Sequence, residues 1–411
     1  MSKERPLFSK IVAGLKQKTP DKDITTYVEK LRTAYQRMRD QPGDLGLVAQ
    51  ANRHRDAKVA LHSSPYFLPW HRAMLYFHER ILGALVNDTD FRLPVWDWEA
   101  QGGSAIPEFM SECPATNPLF DPTRVAKIGD MPSQQDMMDA WAGLLSMERV
   151  EFAGAFYGIT WENGDIPPQK TQAGECMGVP HNTFHNWVDG HMKTFDNSGL
   201  DPLFYMHHCG VDRIWAHRQF LQPTTHVKDF VDLPCDHVIR NLTMDFIDCE
   251  GVIPNLKPVA VKKAIWEFAD YSKLGYAYQF PLINPAPPLT AYLLRDILTR
   301  SNQNVLRIES GGRIEISLVA SFPMNLSGVV NMELLIGNQW VPIGSAPRAG
   351  HCAQASPMAH HMAGERVWTS IRGKITAPIE LAPESLTNVE GRWSNKYECG
   401  PMPVTDIKIL Q

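Results

Sequence analysis

Six histidines, spaced as two groups of three, constrain this chain more than any other feature. They are His54, His62 and His71, then His181, His185 and His208. Each lies in an apolar, aromatic-rich stretch, where an imidazole taken out of water needs a partner to offset its lost hydration. A fold that collects them in threes gives them that partner as metal sites. His181 and His185 are four residues apart, so on a helix they share one face and reach one ion. His71 opens a helical stretch, with His54 and His62 just upstream.

Composition excludes several function classes. The formal net charge of −5 gives no basic stripe for nucleic acid. No uncharged run approaches the ~20 apolar residues of a membrane span. The first residues, MSKERPLFSKIVAGLKQKTP, carry basic groups but no apolar core leading to a small-residue cleavage site, so no secretory leader is expected. Seven cysteines, an odd number with no CxxC pair, predict reduced thiols rather than a disulfide framework, and hence a cytoplasmic location. Homo-oligomerisation is left open.

Along the chain, residues 24–40 place Ile24, Tyr27, Val28, Leu31, Tyr35 and Met38 on one stripe, which predicts a helix. Helices are also predicted over 68–86, 181–192 and 203–220, and irregular chain over 87–170. The proline-rich stretch 281–290 reads as a linker. Beyond it, 313–321, 329–337, 366–375 and 404–410 alternate and are rich in β-branched residues, the pattern of a small antiparallel β domain. The predicted organisation is a mainly helical catalytic domain over 1–280, in which a four-helix bundle holds the two-metal site, and a sandwich-like β domain over 291–411.

The donor set narrows the metal. Di-iron carboxylate bundles use Glu-x-x-His pairs, and none occurs at these positions. HExxH fails at His78-Glu79. Blue copper needs a cysteine with two histidines, and Cys209 has no such context. Three neutral imidazoles per metal, twice over, suit two copper ions. Asp212, one turn beyond His208, is placed as an acceptor for that ligand's second ring nitrogen. His78 and His207 are expected to pack behind the ligands, Asp97 and Asp212 to accept structural hydrogen bonds, and Trp96, Trp98, Trp187 and Trp215 to pack in the core.

Four segments resemble a known family: HSSPYFLPWHR at 62–72, LPVWDW at 93–98, PHNTFHNWVDGHM at 180–192 and DPLFYMHHCGVDRIW at 201–215. With GYAY at 275–278, they make the sequence similar to the type 3 copper proteins: tyrosinases, catechol oxidases, aminophenol oxidases and haemocyanins. The resemblance implies copper A on His54, His62 and His71, and copper B on His181, His185 and His208. It implies oxidation of o-diphenols by O2 and ortho-hydroxylation of monophenols, with small phenols and O2 as the partners. Asn182 and Glu175 match a pair that holds an activating water, and Phe195 a ring over copper A. Ala60 stands where plant members carry a thioether cysteine, so no such crosslink is expected. An o-aminophenol or catechol oxidase without hydroxylase activity is the nearest alternative, and an O2 carrier a more distant one. The family also suggests that 291–411 act as a lid, and the soft-ligand run 351–362 suggests a copper-loading loop.

Overall fold

A computed structural model describes residues 3–57, 62, 66–103, 105–125, 176–225 and 242–281, scattered positions between 134 and 173, and a series of strands beyond 291. Linker 281–290, except Pro281, and run 351–362 lie outside the described residues.

The helices follow from caps and apolar stripes. Helix α1 is Phe8–Leu15, and α2 is Lys22–Asp40. Asp21 caps α2 by accepting from the backbone of Asp23 and Ile24, which satisfies donors no helix can pair internally. Its stripe buries Val28, Leu31, Ala34, Tyr35 and Met38. It stops where Gln41 precedes Pro42 and turns extended. Helix α3, Leu47–Asp56, carries His54. Helix α4, Phe67–Leu85, is buried on almost every side, the pattern of a helix at the centre of a domain. The expected helix over 181–192 is broken in two. A π-helical turn over Met177–Asn182 leads into α5, Thr183–Val188, and the chain then bends at Asp189 and Gly190. Both residues have positive φ, 61° and 57°. Gly190 has no alternative, because a Cβ there would lie 2.1 Å from the Thr123 carbonyl. Helix α6, Pro202–Thr225, starts on proline behind Asp201, which accepts from the Leu203 backbone.

Helix α4 packs against both α2 and α6, around a core that includes Tyr35, Leu75, Leu82, Trp96, Trp98, Phe184 and Trp215. Gly210 on α6 is what lets Trp98 lie flat against the helix: an added Cβ would meet that ring at 2.4 Å. The sequence reading missed a hairpin of β2 (Thr243–Glu250) and β3 (Lys257–Ala264), paired from Thr243↔Ala264 to Glu250↔Lys257. It covers α4 through Phe246, whose ring stacks on Phe77 at 5.2 Å. Strand β1, Lys3–Glu4, runs parallel to β4, Tyr276–Ala277. Further along, β5 (Arg313–Ser321) pairs with β8 (Arg366–Lys374), and β6 (Gly328–Ile336) lies between β7 (Gln339–Arg348) and β9 (Glu390–Ser394). Within the run 404–410, Lys408–Ile409 are described and form a strand.

A buried ionic frame joins the chain ends to α4 and α6. Arg5 donates to Glu79 at 2.9 Å, and Arg72 donates to Asp212 at 2.5 Å. Tyr276 and Tyr278 hydroxyls donate to the second Asp212 oxygen at 2.8 and 2.7 Å. Arg72 lies 3.6 Å over the Trp215 ring and Arg5 3.8 Å over Tyr276. Arg72, Tyr276 and Tyr278 take both Asp212 oxygens, with Arg5 3.6 Å away, so Asp212 is a structural acceptor as expected but serves the frame and not His208, a correction to that part of the expectation. Asp97 accepts from Ser9, as expected. Replacing Asp212 with Asn keeps the volume but leaves Arg72 and Arg5 facing a neutral group. Loss of one partner from a buried pair costs about 3–5 kcal/mol. Asp212→Asn should therefore lower the urea midpoint sharply, and an unchanged midpoint would show that the frame does not hold the fold.

Candidate metal centre

The two groups of histidines meet. His54 on α3 and His71 on α4 close around His62, which lies in the segment between those helices. Ring centroids are 4.8 Å apart for His54–His62, 4.7 Å for His62–His71 and 5.4 Å for His54–His71. Phe195 lies across this triad, 4.7 Å from His54 and 4.3 Å from His62. In the second group, His181 and His185 are 4.4 Å apart, and α6 brings His208 to 4.9 Å from His181. His208 also stacks on His71 at 4.2 Å with the rings nearly parallel, so it joins the two groups. The Phe67 ring sits at the same seam, 4.7 Å from His71 and 4.8 Å from His181.

Backbone oxygens set the direction of the rings. His71 Nδ1 donates to the Phe67 carbonyl at 2.8 Å, and His54 Nδ1 to the Phe195 carbonyl at 3.2 Å. His185 Nδ1 donates to the Met192 carbonyl, and His181 Nδ1 to Met177 O and Asn182 Oδ1 at 3.2 and 3.0 Å. A carbonyl only accepts, so each Nδ1 carries the proton and Nε2 is left with its lone pair. His71 Nε2 and His185 Nε2 are buried with no hydrogen-bond partner, whereas native proteins rarely leave such atoms unsatisfied. His54 and His62 present Nε2 to each other at 2.9 Å.

Local backbone makes this possible. The π turn fits Pro180, which has no N–H to give, and places Met177 O under His181. The bend at Asp189–Gly190 returns Met192 O to His185. That bend is docked by Thr123, whose hydroxyl accepts from the His191 backbone, and by Asp121, which accepts from the His191 ring at 2.8 Å. Asn182 makes no helix cap; its oxygen goes to His181. None of these orienting carbonyls carries a side-chain signal in the sequence.

Burial keeps the imidazoles neutral. Desolvation pulls His71 down to about 3 and His185 to about 4, and holds His181, His207 and His208 far below the ordinary imidazole value. Six buried imidazoles, with no carboxylate among them, fit two late first-row metal ions. Glu175 lies outside the described residues. His78 packs as expected: its ring stacks on Tyr205 at 3.5 Å and its Nε2 meets the Tyr35 hydroxyl at 3.2 Å. His207 is not merely packing, because a ring nitrogen of His181, His185 and His207 all fall within 4.8 Å of one another. Four cysteines among the described residues, Cys113, Cys176, Cys209 and Cys249, are free thiols.

The sequence pattern described as the common central domain of tyrosinase matches residues 31–220. "Polyphenol oxidase II, chloroplastic" of Ipomoea batatas is 26% identical, covering 86% of this chain and 67% of the relative. "Polyphenol oxidase, chloroplastic" of Vitis vinifera is 29% identical, covering 81% of this chain and 55% of the relative. The chain thus spans between half and two thirds of the length of these relatives. Latent apple tyrosinase superposes with a TM-score of 0.64 at 18% identity, covering all of this chain and 97% of that one, a likeness of fold. The cytoplasmic expectation does not stand beside these relatives, whose names place them in the chloroplast. Thiol content does not determine a compartment. Among the described residues no helix is long and apolar enough to cross a membrane.

The shifted histidines give a pH test on metal-free protein. His71 and His78 are both lowered to about 3, while an unfolded imidazole titrates near 6.5. Between those values the unfolded chain binds more protons. Their contribution to stability is present above pH ~6.5 and lost as pH falls toward ~3, at about 1.4 kcal/mol per pH unit for each such histidine. The urea midpoint should drop steeply from pH 7 to 5, and a flat profile would rule out neutral burial.

Proposed function

Because the chain belongs to the type 3 copper proteins, we propose that it is a copper oxidoreductase that uses O2 to oxidise o-diphenols to o-quinones. His54, His62 and His71 would hold copper A, and His181, His185 and His208 copper B. The observation that carries the reading is the pair of imidazole groups, with the Nε2 atoms of His71, His185 and His208 buried and unpartnered, joined by the 4.2 Å His71–His208 stack. His208 is preferred over His207 for copper B because its ring faces copper A. His207 instead faces Trp98 at 5.3 Å and Trp96 at 6.1 Å.

When bound, the metals supply redox chemistry with O2 that no side chain offers. The protein supplies ligand direction, a dry pocket and orientation of the ring. Phe67 and Phe195 wall the pocket and exclude water, and Phe195 over copper A is the gate for the phenol. A helical catalytic domain over 1–280 holds the site, and a sandwich-like β domain over 291–411 follows it. Strand β7 passes beside the π turn and α5, which supports the lid assignment for that domain.

Hydroxylation of a monophenol is the finer part of the proposal. A phenol titrates near 10, so its proton must be removed. Asn182, with Glu175 as its partner, is assigned to hold the water that takes it. One observation favours the alternative of a catechol or o-aminophenol oxidase: Asn182 Oδ1 is already engaged by His181 at 3.0 Å.

An oxygen electrode separates these readings on copper-loaded protein offered tyrosine, a catechol and an o-aminophenol. Sustained O2 uptake with the catechol is expected, and stoichiometric O2 binding without turnover would mean a carrier. Asn182→Gly should lower tyrosine hydroxylation at least about tenfold more than catechol oxidation, a difference of ~1.4 kcal/mol in barrier. Equal losses on both substrates would remove Asn182 from the hydroxylation step.

A further inference from the structure

His207 and His208 are consecutive on α6, so their side chains leave the helix about 100° and 1.5 Å apart. Both still reach the same pair of ligands. The His207 ring is 4.8 Å from His185 and 5.5 Å from His181. The His208 ring is 5.6 Å from His185 and 4.9 Å from His181. Their other neighbours differ. His208 stacks on His71 of the copper A group. His207 is surrounded by Trp96, Trp98 and Phe184.

A packing histidine in such a place would give its N–H to a nearby oxygen, since a buried donor left without a partner costs about 1–3 kcal/mol. His207 is fully buried; the one acceptor acting on it, the His181 backbone carbonyl, can take a single N–H, and the other ring nitrogen has no partner. Phenylalanine would fill the same aromatic wall without that cost. The uncommitted nitrogen and its approach to His181 and His185 are those of a ligand.

We propose, resting on the copper assignment above, that copper B has two seats. In one, His181, His185 and His208 hold the ion facing copper A. In the other, His181, His185 and His207 hold it withdrawn toward the tryptophan wall. Passage between them is a ligand exchange: one Cu–N bond to His208 breaks and one to His207 forms. Both imidazoles are neutral, so no proton or electron moves. The withdrawn seat lets copper B be loaded, or parked, before it is brought up to copper A.

The test uses the full chain reconstituted with copper, with metal content and Cu(II) EPR as readouts. Wild type should hold about two ions per chain, mutually coupled and EPR-silent. If it does not, the copper assignment itself fails. With wild type as expected, His208→Ala should keep nearly two ions per chain, now EPR-visible because the withdrawn ion no longer couples. The double variant His207→Phe/His208→Ala should fall to about one ion. If His208→Ala alone falls to one, or if the double variant still holds two, the second seat does not exist. His207→Gln in the same background repeats the test should the Phe variant misfold, with circular dichroism as the control for folding. Copper anomalous scattering from His208→Ala crystals should place the second ion beside the His207 ring, and density elsewhere would overturn the proposal.

Discussion

The Nδ1–H···O=C bond fixes everything else about this site. An imidazole has two nitrogens, and only a partner on one of them decides which way the other points. Here Phe67, Phe195 and Met192 give backbone oxygens to His71, His54 and His185, and Met177 gives one to His181. Backbone oxygens are held by the fold and cannot rotate away as a carboxylate side chain can. The local irregularities follow from this need. The π turn at 177–182, the break at Asp189–Gly190 and the bend carrying Phe195 each deliver one carbonyl to one ring. A regular helix through 181–192 would have set Met192 about 10 Å along the axis from His185 and left that ring without its tether.

Direction alone does not keep six imidazoles in place, because their burial is unfavourable until a metal arrives. The ionic frame behind α4 and α6 resists the relaxation that would follow. Arg72 follows His71 immediately, and Asp212 is one turn beyond His208, so the Arg72–Asp212 bond ties the helix of one group to the helix of the other. Tyr276, Tyr278 and Arg5 lock that bond from the far side. Residues near each end of the catalytic segment therefore set the spacing of α4 and α6, and with it the distance across which the two metal sites face each other. Buried pairs of this kind are poor sources of net stability but costly to break, which suits a part whose task is to hold one geometry.

Much of this was legible in the sequence because period and spacing carry it. The stripe from Ile24 to Met38 gave α2 to within two residues, and the spacing of His181 and His185 gave their shared face. The hairpin at 243–264 was missed, since β3 carries lysines in a mostly exposed strand and shows little apolar alternation. Asp212 was misassigned for a different reason. Helical spacing showed that it lies near His208, but two tyrosines and two arginines from distant parts of the chain outcompete a neutral imidazole for its charge. The orienting carbonyls were invisible, because every residue has one and only the fold selects which is used. The ambiguity between His207 and His208 has the same origin: adjacent residues on a helix differ by a rotation that sequence alone cannot fix in space.

In the proposed reading, the choice between oxidase and hydroxylase turns on one side-chain oxygen. The amide of Asn182 has an acceptor with two lone pairs and two N–H donors. His181 uses one lone pair. If the amide plane lies so that the second lone pair or an N–H reaches the pocket, the residue orients His181 and a water together, and both activities coexist. If it does not, Asn182 serves the metal ligand alone and the phenol keeps its proton. The same atom that tethers a copper ligand then sets which substrates can react. In such a site, substrate range is decided less by the six ligands than by how much hydrogen-bonding capacity is left over once the ligands have been oriented.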